Sequence, residues 1–210
     1  MSLFITFEGT EGCGKSTQIA LLAEWLKSKN KNHVLTREPG ATDIGKQIRS
    51  ILLHRESTDI VPLTELLLYA ADRAQHCEQV IRPALKQNKI VLCDRFYDST
   101  TAYQEGGRQL SQKLVGEINQ LATQGLKPHL TFLLDLPVEI GLQRALTRVS
   151  QEHDIQDRFE REKLVFHEQV RKKYHEIASS EPKRIFVIDA NQDIQHIHQK
   201  IVSILESKFS

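Results

Sequence analysis

The 210-residue chain has little cysteine and no long apolar segment. Its three cysteines, Cys13, Cys77 and Cys93, form no CxxC pair, and an odd, scattered set argues for a reducing compartment and against a disulfide framework. No stretch approaches the ~20 apolar residues that a membrane span needs, and the N-terminus has neither the basic segment nor the apolar length of a signal peptide. These absences predict a cytoplasmic protein without a membrane partner.

The chain also lacks an excess of charge of either sign. Lysine and arginine together number 28 and aspartate and glutamate 27, which gives a net charge of +1. A nearly neutral protein has no general electrostatic attraction for nucleic acid or for an anionic membrane, so we expect no nucleic acid partner. Any anion that this protein binds must therefore be held at a local site.

Five short apolar runs alternate with longer segments of helical periodicity. Their spacing is too long for β-hairpins and is typical of parallel strands joined by crossover helices. We therefore predict an α/β fold with a five-stranded parallel sheet and helices on both faces, in one domain of residues 1–210. The predicted strands are residues 3–7, 33–36, 90–93, 130–134 and 184–188.

Two of the helical segments carry a stripe of apolar residues that predicts a buried helix face. The stripes consist of Ile19, Leu22, Ala23 and Leu26 near the N-terminus, and of Ile194, Ile197, Ile201 and Ile204 near the C-terminus. The segment 149–156, VSQEHDIQ, is polar and has no such stripe. We interpret it as part of a mobile flap.

The first predicted strand leads into a glycine-rich loop, FEGTEGCGKST, at residues 7–17. Gly9, Gly14, Lys15 and Ser16 stand in the order G-x-x-x-x-G-K-S between a strand and a helix, which is the context of a phosphate-binding loop. Main-chain N–H groups of such a loop surround the phosphates of a nucleoside triphosphate. Lys15 would reach the β and γ phosphates, and the Ser16 hydroxyl would bind Mg²⁺. A chance glycine-rich turn before a helix is the alternative, but four matching positions make it uncommon.

The loop thus predicts a P-loop NTPase fold, with a phosphate loop at residues 9–16. A GTPase would also carry an N-K-x-D motif that reads guanine, and the nearest match, residues 88–91, lacks the aspartate. A kinase is therefore the favoured class. The predicted nucleotide-binding residues of the loop are Gly9, Thr10, Glu11, Gly12, Cys13, Gly14, Lys15, Ser16 and Thr17.

A second carboxylate, Asp94, ends the predicted strand IVLCD. Ligands of parallel sheets bind beyond the carboxyl ends of the strands, so Asp94 is placed to hold Mg²⁺ through water. An acid in this position can instead cap a helix. Together with a phosphate loop, the metal role is the better explanation.

Residues 94–104, DRFYDSTTAYQ, combine a cation with polar and aromatic side chains. Arg95 follows the carboxylate directly. Thr100, Tyr103 and Gln104 fall at i, i+3 and i+4 of a helix that we predict to start near Ser99, so they would share one face. Such a face suits a small, planar, polar ligand.

Residues 63–75, LTELLLYAADRAQ, contain a second cluster. Here Tyr69 and Arg73 lie four residues apart on the flank of a predicted helix, where they could stack on a base and hold a phosphate. Without other context, they would be read as residues at the edge of the core. The face that we predict to be buried consists of Leu63, Leu67, Ala70 and Ala74.

From end to end, the chain resembles the thymidylate kinases, the nucleoside monophosphate kinases that make dTDP from dTMP. The matching segments, in the family's order, are FEGTEGCGKST, TREPGAT, LLYAADRAQ, DRFYDSTTAYQEGGR, LLDLPVEIGLQRALTR, DRFE and IDAN. The combination is highly specific, whereas the phosphate loop alone is not. The resemblance implies ATP as the phosphoryl donor, dTMP as the acceptor, Mg²⁺ as the cofactor and a homodimer.

The resemblance also implies an acceptor pocket. Tyr69 would stack on thymine, Thr100 and Gln104 would address the base edge, Tyr103 would crowd the sugar 2′ position, and Arg95 would bind the acceptor phosphate. The implied dTMP-binding residues are Arg37, Glu38, Pro39, Tyr69, Arg73, Arg95, Thr100, Tyr103 and Gln104.

The family has a eukaryotic sort with an arginine inside the phosphate loop and a bacterial-like sort with arginines in a lid. Gly12 occupies the loop position here, so the resemblance implies a mobile lid at about residues 144–158. An arginine over the γ phosphate is worth ~10³- to 10⁵-fold in rate. Arg144 would support ATP binding. The implied catalytic residues are Lys15, Arg95, Arg148, Arg158 and Glu11, with Glu11 meeting the acceptor's 3′-hydroxyl or its magnesium shell.

Two other functions stay open on the sequence. One is a different small-molecule kinase on the same scaffold, acting on a deoxynucleoside or another monophosphate. The other is a non-catalytic nucleotide switch, which would hydrolyse ATP slowly and would not need the cluster from Tyr69 to Gln104.

Overall fold

A parallel sheet forms the centre of the structure, a computed structural model that describes residues 2–53, 59–152, 159 and 162–209, with 148–152 and 209 described by their backbone alone. Within these residues the strand order is β2-β3-β1-β4-β5. All five predicted strands are confirmed to within one residue at each end. They are β1 (Leu3–Glu8), β2 (His33–Arg37), β3 (Ile90–Asp94), β4 (Leu130–Asp135) and β5 (Ile185–Asp189).

Helices connect the strands, as the periodicity predicts. Two π-helical segments, Cys77–Ile81 and Thr101–Gly107, follow α3 and α5 respectively. The helices are α1 (Lys15–Ser28), α2 (Asp43–Leu53), α3 (Pro62–His76), α4 (Arg82–Lys86), α5 (Tyr97–Thr100), α6 (Gln112–Thr123), α7 (Val138–Glu152), α8 (Leu164–Ser180) and α9 (Ile194–Phe209).

Both faces of the sheet are covered, because alternate residues of β1 enter different core clusters. Ile5 and Phe7 pack with the α1 and α9 side chains, whereas Phe4 packs on the opposite face with Ile81 and Phe96. The stripe predicted in α1 is entirely buried.

The stripe predicted in α9 is only partly correct. Ile197 and Ile201 are buried and Ile204 packs against the core, but Ile194 is 52% exposed. Ile194 is the first residue of α9 and lies before the turn that reaches the sheet. The helical period therefore identified the face but not the point at which packing begins.

Helix α3 buries a different face from the predicted one. Leu63 and Leu67 are 47% and 48% exposed. The buried side chains of α3 are Glu65, Leu66, Asp72, Arg73 and His76, four of which are polar. The prediction failed because leucines occur on both sides of this helix, and because a polar face is buried when each group has a partner.

Two other boundaries differ from expectation. The helix predicted to start near Ser99 begins at Tyr97 and changes to π geometry after Thr100. Residues 149–152 of the predicted flap continue α7, since serine, glutamine and glutamate extend a helix without an apolar stripe. The rest of that segment, 153–156, lies outside the described residues.

The sheet brings the predicted site residues to one edge. In the ladder, Asp94 pairs with Phe7 of β1 on one side and with Arg37 of β2 on the other. The phosphate loop, which follows β1, therefore emerges beside the end of β3. No helix in the described part of the chain is long and apolar enough to cross a membrane.

Candidate active site

The phosphate loop links β1 to α1, in the predicted position. Gly14, with φ of 90°, precedes the first residue of α1 and lets the loop turn into the helix. The Lys15 ammonium donates to the carbonyl oxygens of Gly9 at 3.0 Å and Thr10 at 2.9 Å. Its positive charge is thus held beside the main chain of the loop, at the positive end of α1.

The loop also fits closely against α7. A Cβ atom on Gly12, whose φ is +67°, would overlap the carbonyl oxygen of Gly141 in α7. A Cβ atom on Gly141 would in turn overlap the carbonyl oxygen of Glu11. The two glycines permit this contact, and no side chain fits at position 12. The contact gives a physical reason for the absence of a loop arginine in this chain.

We predict that Gly12→Arg abolishes most activity rather than supplying a catalytic arginine. Gly12→Ala should show a similar loss in turnover and in melting temperature, because the first added carbon already causes the overlap. Gly116→Ala is the matched control, since a Cβ there meets nothing within 4 Å and the position lies inside α6. Full activity of the arginine variant would refute this account of the loop.

Ser16 and Asp94 form the predicted metal pair. The Ser16 hydroxyl donates to Oδ2 of Asp94 at 3.2 Å. Oδ1 of Asp94 is buried and has no hydrogen-bond partner among the described residues. A hydroxyl beside a carboxylate with a spare oxygen fits Mg²⁺, which prefers oxygen ligands. The alternative helix cap is wrong, because Phe96 occupies the N-cap of α5 without a side-chain bond.

The guanidinium of Arg95 is the centre of the site. The residue itself has a left-handed backbone, with φ of 67°, directly after β3. Its side chain also lies over the Tyr103 ring, 5.1 Å from the centroid. Nη1 donates to the oxygens of Gly9, Ser99 and Tyr174 at 3.0, 3.1 and 3.2 Å, and Nη2 to those of Glu11 and Tyr103 at 3.1 and 3.2 Å.

Glu11 provides the main negative charge beside Arg95. Its Oε1 also accepts from the Tyr103 hydroxyl at 2.5 Å, and its Oε2 lies 3.4 Å from Nδ1 of His167. Burial opposes the carboxylate charge, but His167, Arg95 and Lys15 outweigh burial and hold the pKa of Glu11 well below its ordinary value. Glu11 is therefore ionised and can accept from a hydroxyl or from hydrated magnesium.

Glu8, at the end of β1, contacts Ser99, one of the side chains that bind Arg95. Its carboxyl group accepts from the main-chain N–H of Phe96 at 2.7 Å and from the Ser99 hydroxyl at 2.6 Å. Burial, followed by the charge of Asp98, raises the pKa of Glu8 to about 8. The raised pKa favours the protonated form of Glu8 in the folded protein.

This proton makes stability depend on pH. Because the pKa of Glu8 is raised from 4.5 to about 8, its stabilising contribution is complete below about pH 4.5 and is lost as pH rises through about 8. Glu8→Gln mimics the neutral acid and should not lose this contribution. Between about pH 4.5 and 8, we therefore predict that the free energy of unfolding of the original chain falls relative to that of Glu8→Gln by up to about 1.4 kcal/mol per pH unit. Chemical denaturation across pH 5–9 measures it.

The control for this prediction is Glu117→Gln, which changes an exposed carboxylate of α6. Its stability difference from the original chain should not vary over the same pH range. A Glu8→Gln difference that is equally flat would show that Glu8 is ionised in the folded protein.

Arg73 and Glu38, both predicted in the acceptor pocket, bind each other. Nε of Arg73 donates to Oε2 of Glu38 at 2.8 Å, and Nη1 donates to Oδ1 of Asn119 at 3.1 Å. His76 bonds the other oxygen of Glu38 at 2.8 Å. Arg73 is only 1% exposed, so it is not an arginine that reaches from the core edge into solvent. Glu38 thus holds the Arg73 guanidinium in place. The peptide bond between Glu38 and Pro39 is cis.

The remaining acceptor residues lie on α3, on the segment after β3 and at the end of β2. Tyr69 is partly buried and packs against the cluster that contains Tyr103, while Thr100 and Gln104 are buried. Tyr103 reaches Glu11, but Gln104 binds Glu65, so they serve different parts of the site. Arg37 ends β2 with an exposed side chain.

The lid residues are described only in part. Arg144 is exposed on α7, one turn after Gly141. Arg148 belongs to the same helix, but its side chain lies outside the described part, as does all of Arg158. Among the residues that the structure describes, no three histidine, cysteine, aspartate or glutamate side chains form a metal-binding group of their own.

Sequence reasoning missed Glu8, Ser99, His167 and Tyr174. Glu8 had a signal, since a carboxylate that ends an otherwise apolar strand points to the functional edge of the sheet. Tyr174 lies on α8, 79 positions after Arg95, and only the fold brings the two together. No local pattern predicts such a contact.

Comparison with known proteins relates the whole chain to one family. A family model described as thymidylate kinase matches residues 7–201. The chain is 48% identical to the thymidylate kinase of Geotalea uraniireducens (strain Rf4), covering 100% of this chain and 99% of the relative. It is 50% identical to that of Pelobacter propionicus, covering 100% and 97%.

A solved structure shows the same relationship. The thymidylate kinase from Ehrlichia chaffeensis superimposes with a TM-score of 0.78 and 34% identity, covering 97% of this chain and 98% of that one. Sequence and fold therefore agree over nearly the whole length. The chain belongs to the thymidylate kinase family.

Proposed function

We propose that this chain transfers the γ-phosphoryl group of ATP to the phosphate of dTMP. The observation that carries the proposal is the meeting of two cationic groups at one oxygen. The Gly9 carbonyl accepts from Nζ of Lys15 and from Nη1 of Arg95, both at 3.0 Å. Lys15 belongs to the loop for the donor phosphates, and Arg95 is separate from it. Two phosphates can therefore be held next to each other, as in-line transfer requires.

On the donor side, the chain supplies main-chain N–H groups from residues 9–17 and the charge of Lys15. Ser16 and Asp94 would hold Mg²⁺, which when bound neutralises charge on the β and γ oxygens. Arg144, Arg148 and Arg158, in a lid of about 144–158, would bring further positive charge to the triphosphate. The whole chain, 1–210, would act as one kinase domain.

On the acceptor side, Arg95 would bind the dTMP phosphate. That phosphate is already anionic near neutral pH, so the chain needs no strong general base, and catalysis becomes a matter of positioning and of charge neutralisation. Glu11 would accept from the 3′-hydroxyl, and Tyr103, held between Glu11 and Arg95, would fill the space of a 2′-hydroxyl.

The base would lie between α3 and the π-helical segment Thr101–Gly107. Tyr69 would stack on thymine, Arg73 and Gln104 would meet its polar edge, and Thr100 would line the same side. Glu38 and the cis Pro39 shape this wall through Arg73. Arg37 lies at the neighbouring strand end and would help to place the phosphate.

We also propose a homodimer in the cytoplasm. Four large exposed apolar side chains lie on the packed helices α2 and α3, namely Ile44, Ile51, Leu63 and Leu67. An apolar surface of this kind commonly marks a protein interface. The three unpaired, buried cysteines fit a reducing compartment. Light scattering in solution measures the mass that tests the dimer.

The experiment that tests the activity is a coupled assay of ADP release with MgATP and a panel of acceptors. We expect dTMP to be the best acceptor and dUMP a poorer one by about 10- to 200-fold, because the two bases differ by one methyl group. Preference for a deoxynucleoside or another monophosphate would favour a different kinase. ATP hydrolysis that no acceptor stimulates would favour a nucleotide switch.

A further inference from the structure

A buried carboxylate, Glu65, lies against the side chain that is expected to read the base. Glu65 is on α3, four residues before Tyr69, and is 0% exposed. Nε2 of Gln104 donates to Oε1 of Glu65 at 2.7 Å, and Gln104 is itself only 1% exposed. A buried carboxylate needs a reason, because it could be replaced by an apolar residue at less cost in desolvation.

Arg108 forms an ion pair with Glu65. Its Nε lies 3.2 and 3.3 Å from the two oxygens of Glu65, and its Nη2 lies 3.2 Å from Oε2. The other arm of Arg108 donates to Glu162 at 2.6 Å, and its guanidinium lies 4.7 Å from the centroid of the Phe166 ring. Arg108 is thus fixed from α8 as well, so Glu65 cannot easily move away from Gln104.

This contact determines the orientation of the Gln104 amide. An ionised carboxylate accepts hydrogen bonds and cannot donate them, so only the NH₂ end of the amide can face it. The carbonyl end, Oε1, must then point away from Glu65 and act as an acceptor. A glutamine without such a neighbour can turn over and present either end.

The orientation decides which pyrimidine fits. Thymine offers a donor at N3 and an acceptor at O4, whereas cytosine offers an acceptor at N3 and a donor at N4. Gln104 presents an acceptor, and the guanidinium of Arg73 can only donate. An acceptor from Gln104 and a donor from Arg73 would together complement the N3–O4 edge of thymine and oppose that of cytosine.

We infer that Glu65, held by Arg108, fixes the amide of Gln104 and thereby sets the preference for thymine over cytosine. The inference rests on the proposed function, since it concerns the acceptor of that reaction. Glu65 and Arg108 are positioning residues in this account. They act on the base only through Gln104.

The test compares kcat/KM for dTMP and dCMP in Glu65→Gln. The new amide can pair with either end of Gln104, so we expect the dTMP to dCMP preference to fall by about 10- to 100-fold, mainly through a higher KM for dTMP. Arg108→Met should shift the preference in the same direction, because it removes the guanidinium that holds the Glu65 carboxyl group in place. It also provides a second test should Glu65→Gln fail to fold in a thermal melt.

Glu105→Gln is the matched control. It removes a partly buried carboxylate next to Gln104 in the π-helical segment Thr101–Gly107, where Glu105 pairs with Lys173 at 2.8 Å. We expect it to leave the preference between the two bases unchanged. In a Gln104→Leu background, Glu65→Gln should cause no further change in preference, since its effect passes through Gln104.

An equal effect of Glu65→Gln on both acceptors would overturn the inference and leave Glu65 a structural residue. An additional change in preference in the Gln104→Leu background would overturn it too. The original chain must first turn over dTMP. Without that turnover the proposed function itself fails, which is a separate outcome from an unmoved preference in an active enzyme.

Discussion

Arg95→Met is expected to lower kcat/KM for dTMP by about 10³-fold or more, while the affinity for ATP changes little. Loss of a buried, hydrogen-bonded charge typically costs about 2–5 kcal/mol or more in binding. The upper part of this range corresponds to a decrease of about 10³-fold. The change removes the cation that we propose for the acceptor phosphate, and it leaves Glu11 without its guanidinium partner. Steady-state kinetics with dTMP and calorimetry with ATP measure the two effects.

Arg95→Lys should restore little of the lost activity. Two nitrogens of the Arg95 guanidinium reach different sets of oxygens, and an ammonium group cannot reproduce that fork. Arg82→Met serves as the control, because Arg82, the first residue of α4, pairs with Glu78 outside the site. Normal dTMP kinetics in Arg95→Met would mean that the acceptor phosphate binds elsewhere.

Lys15→Met is expected to lower kcat by about 10²- to 10³-fold with every acceptor. A donor that stabilises developing charge in a closed site is worth this much when it is removed. Unlike Arg95→Met, it should leave the KM for dTMP nearly unchanged, because Lys15 lies over the carbonyls of the donor loop. Steady-state kinetics over a range of dTMP and of ATP concentrations separate the two parameters.

The control for Lys15 is Lys46→Met, which removes an exposed lysine of α2 that pairs with Asp43. Its kinetics should match those of the original chain. If Lys15→Met raised only the KM for dTMP, Lys15 would belong to the acceptor side and the assignment of the two cations would be reversed.

The core and the phosphate loop were predictable because their signals are local. A run of apolar residues makes a buried strand whatever surrounds it, and all five strands were correct to within a residue. The order G-x-x-x-x-G-K-S also depends only on neighbouring positions. Asp94 was predictable for a similar reason, since it ends a strand and must reach the same edge as the loop.

Helix α3 shows the limit of such reasoning. Its leucines suggested one buried face, but the fold buries Glu65, Asp72 and Arg73 instead, each with a partner on another element. Periodicity measures apolarity, and it cannot recognise a face that is buried because its polar side chains form hydrogen bonds with other segments. For the same reason, the prediction that Leu63 and Leu67 are buried was wrong.

The sequence by itself determined the α/β sheet and the phosphate loop, and it supplied most of the candidate site residues, because each of these signals depends on residues close together in the chain. Only the tertiary structure decided how these side chains are held. The contacts of Arg95 with Tyr174, of Gly12 with Gly141 and of Gln104 with Glu65 join segments that are distant in sequence. Hydrogen bonds and close packing act over a few ångströms in space, and no pattern along the chain records those distances.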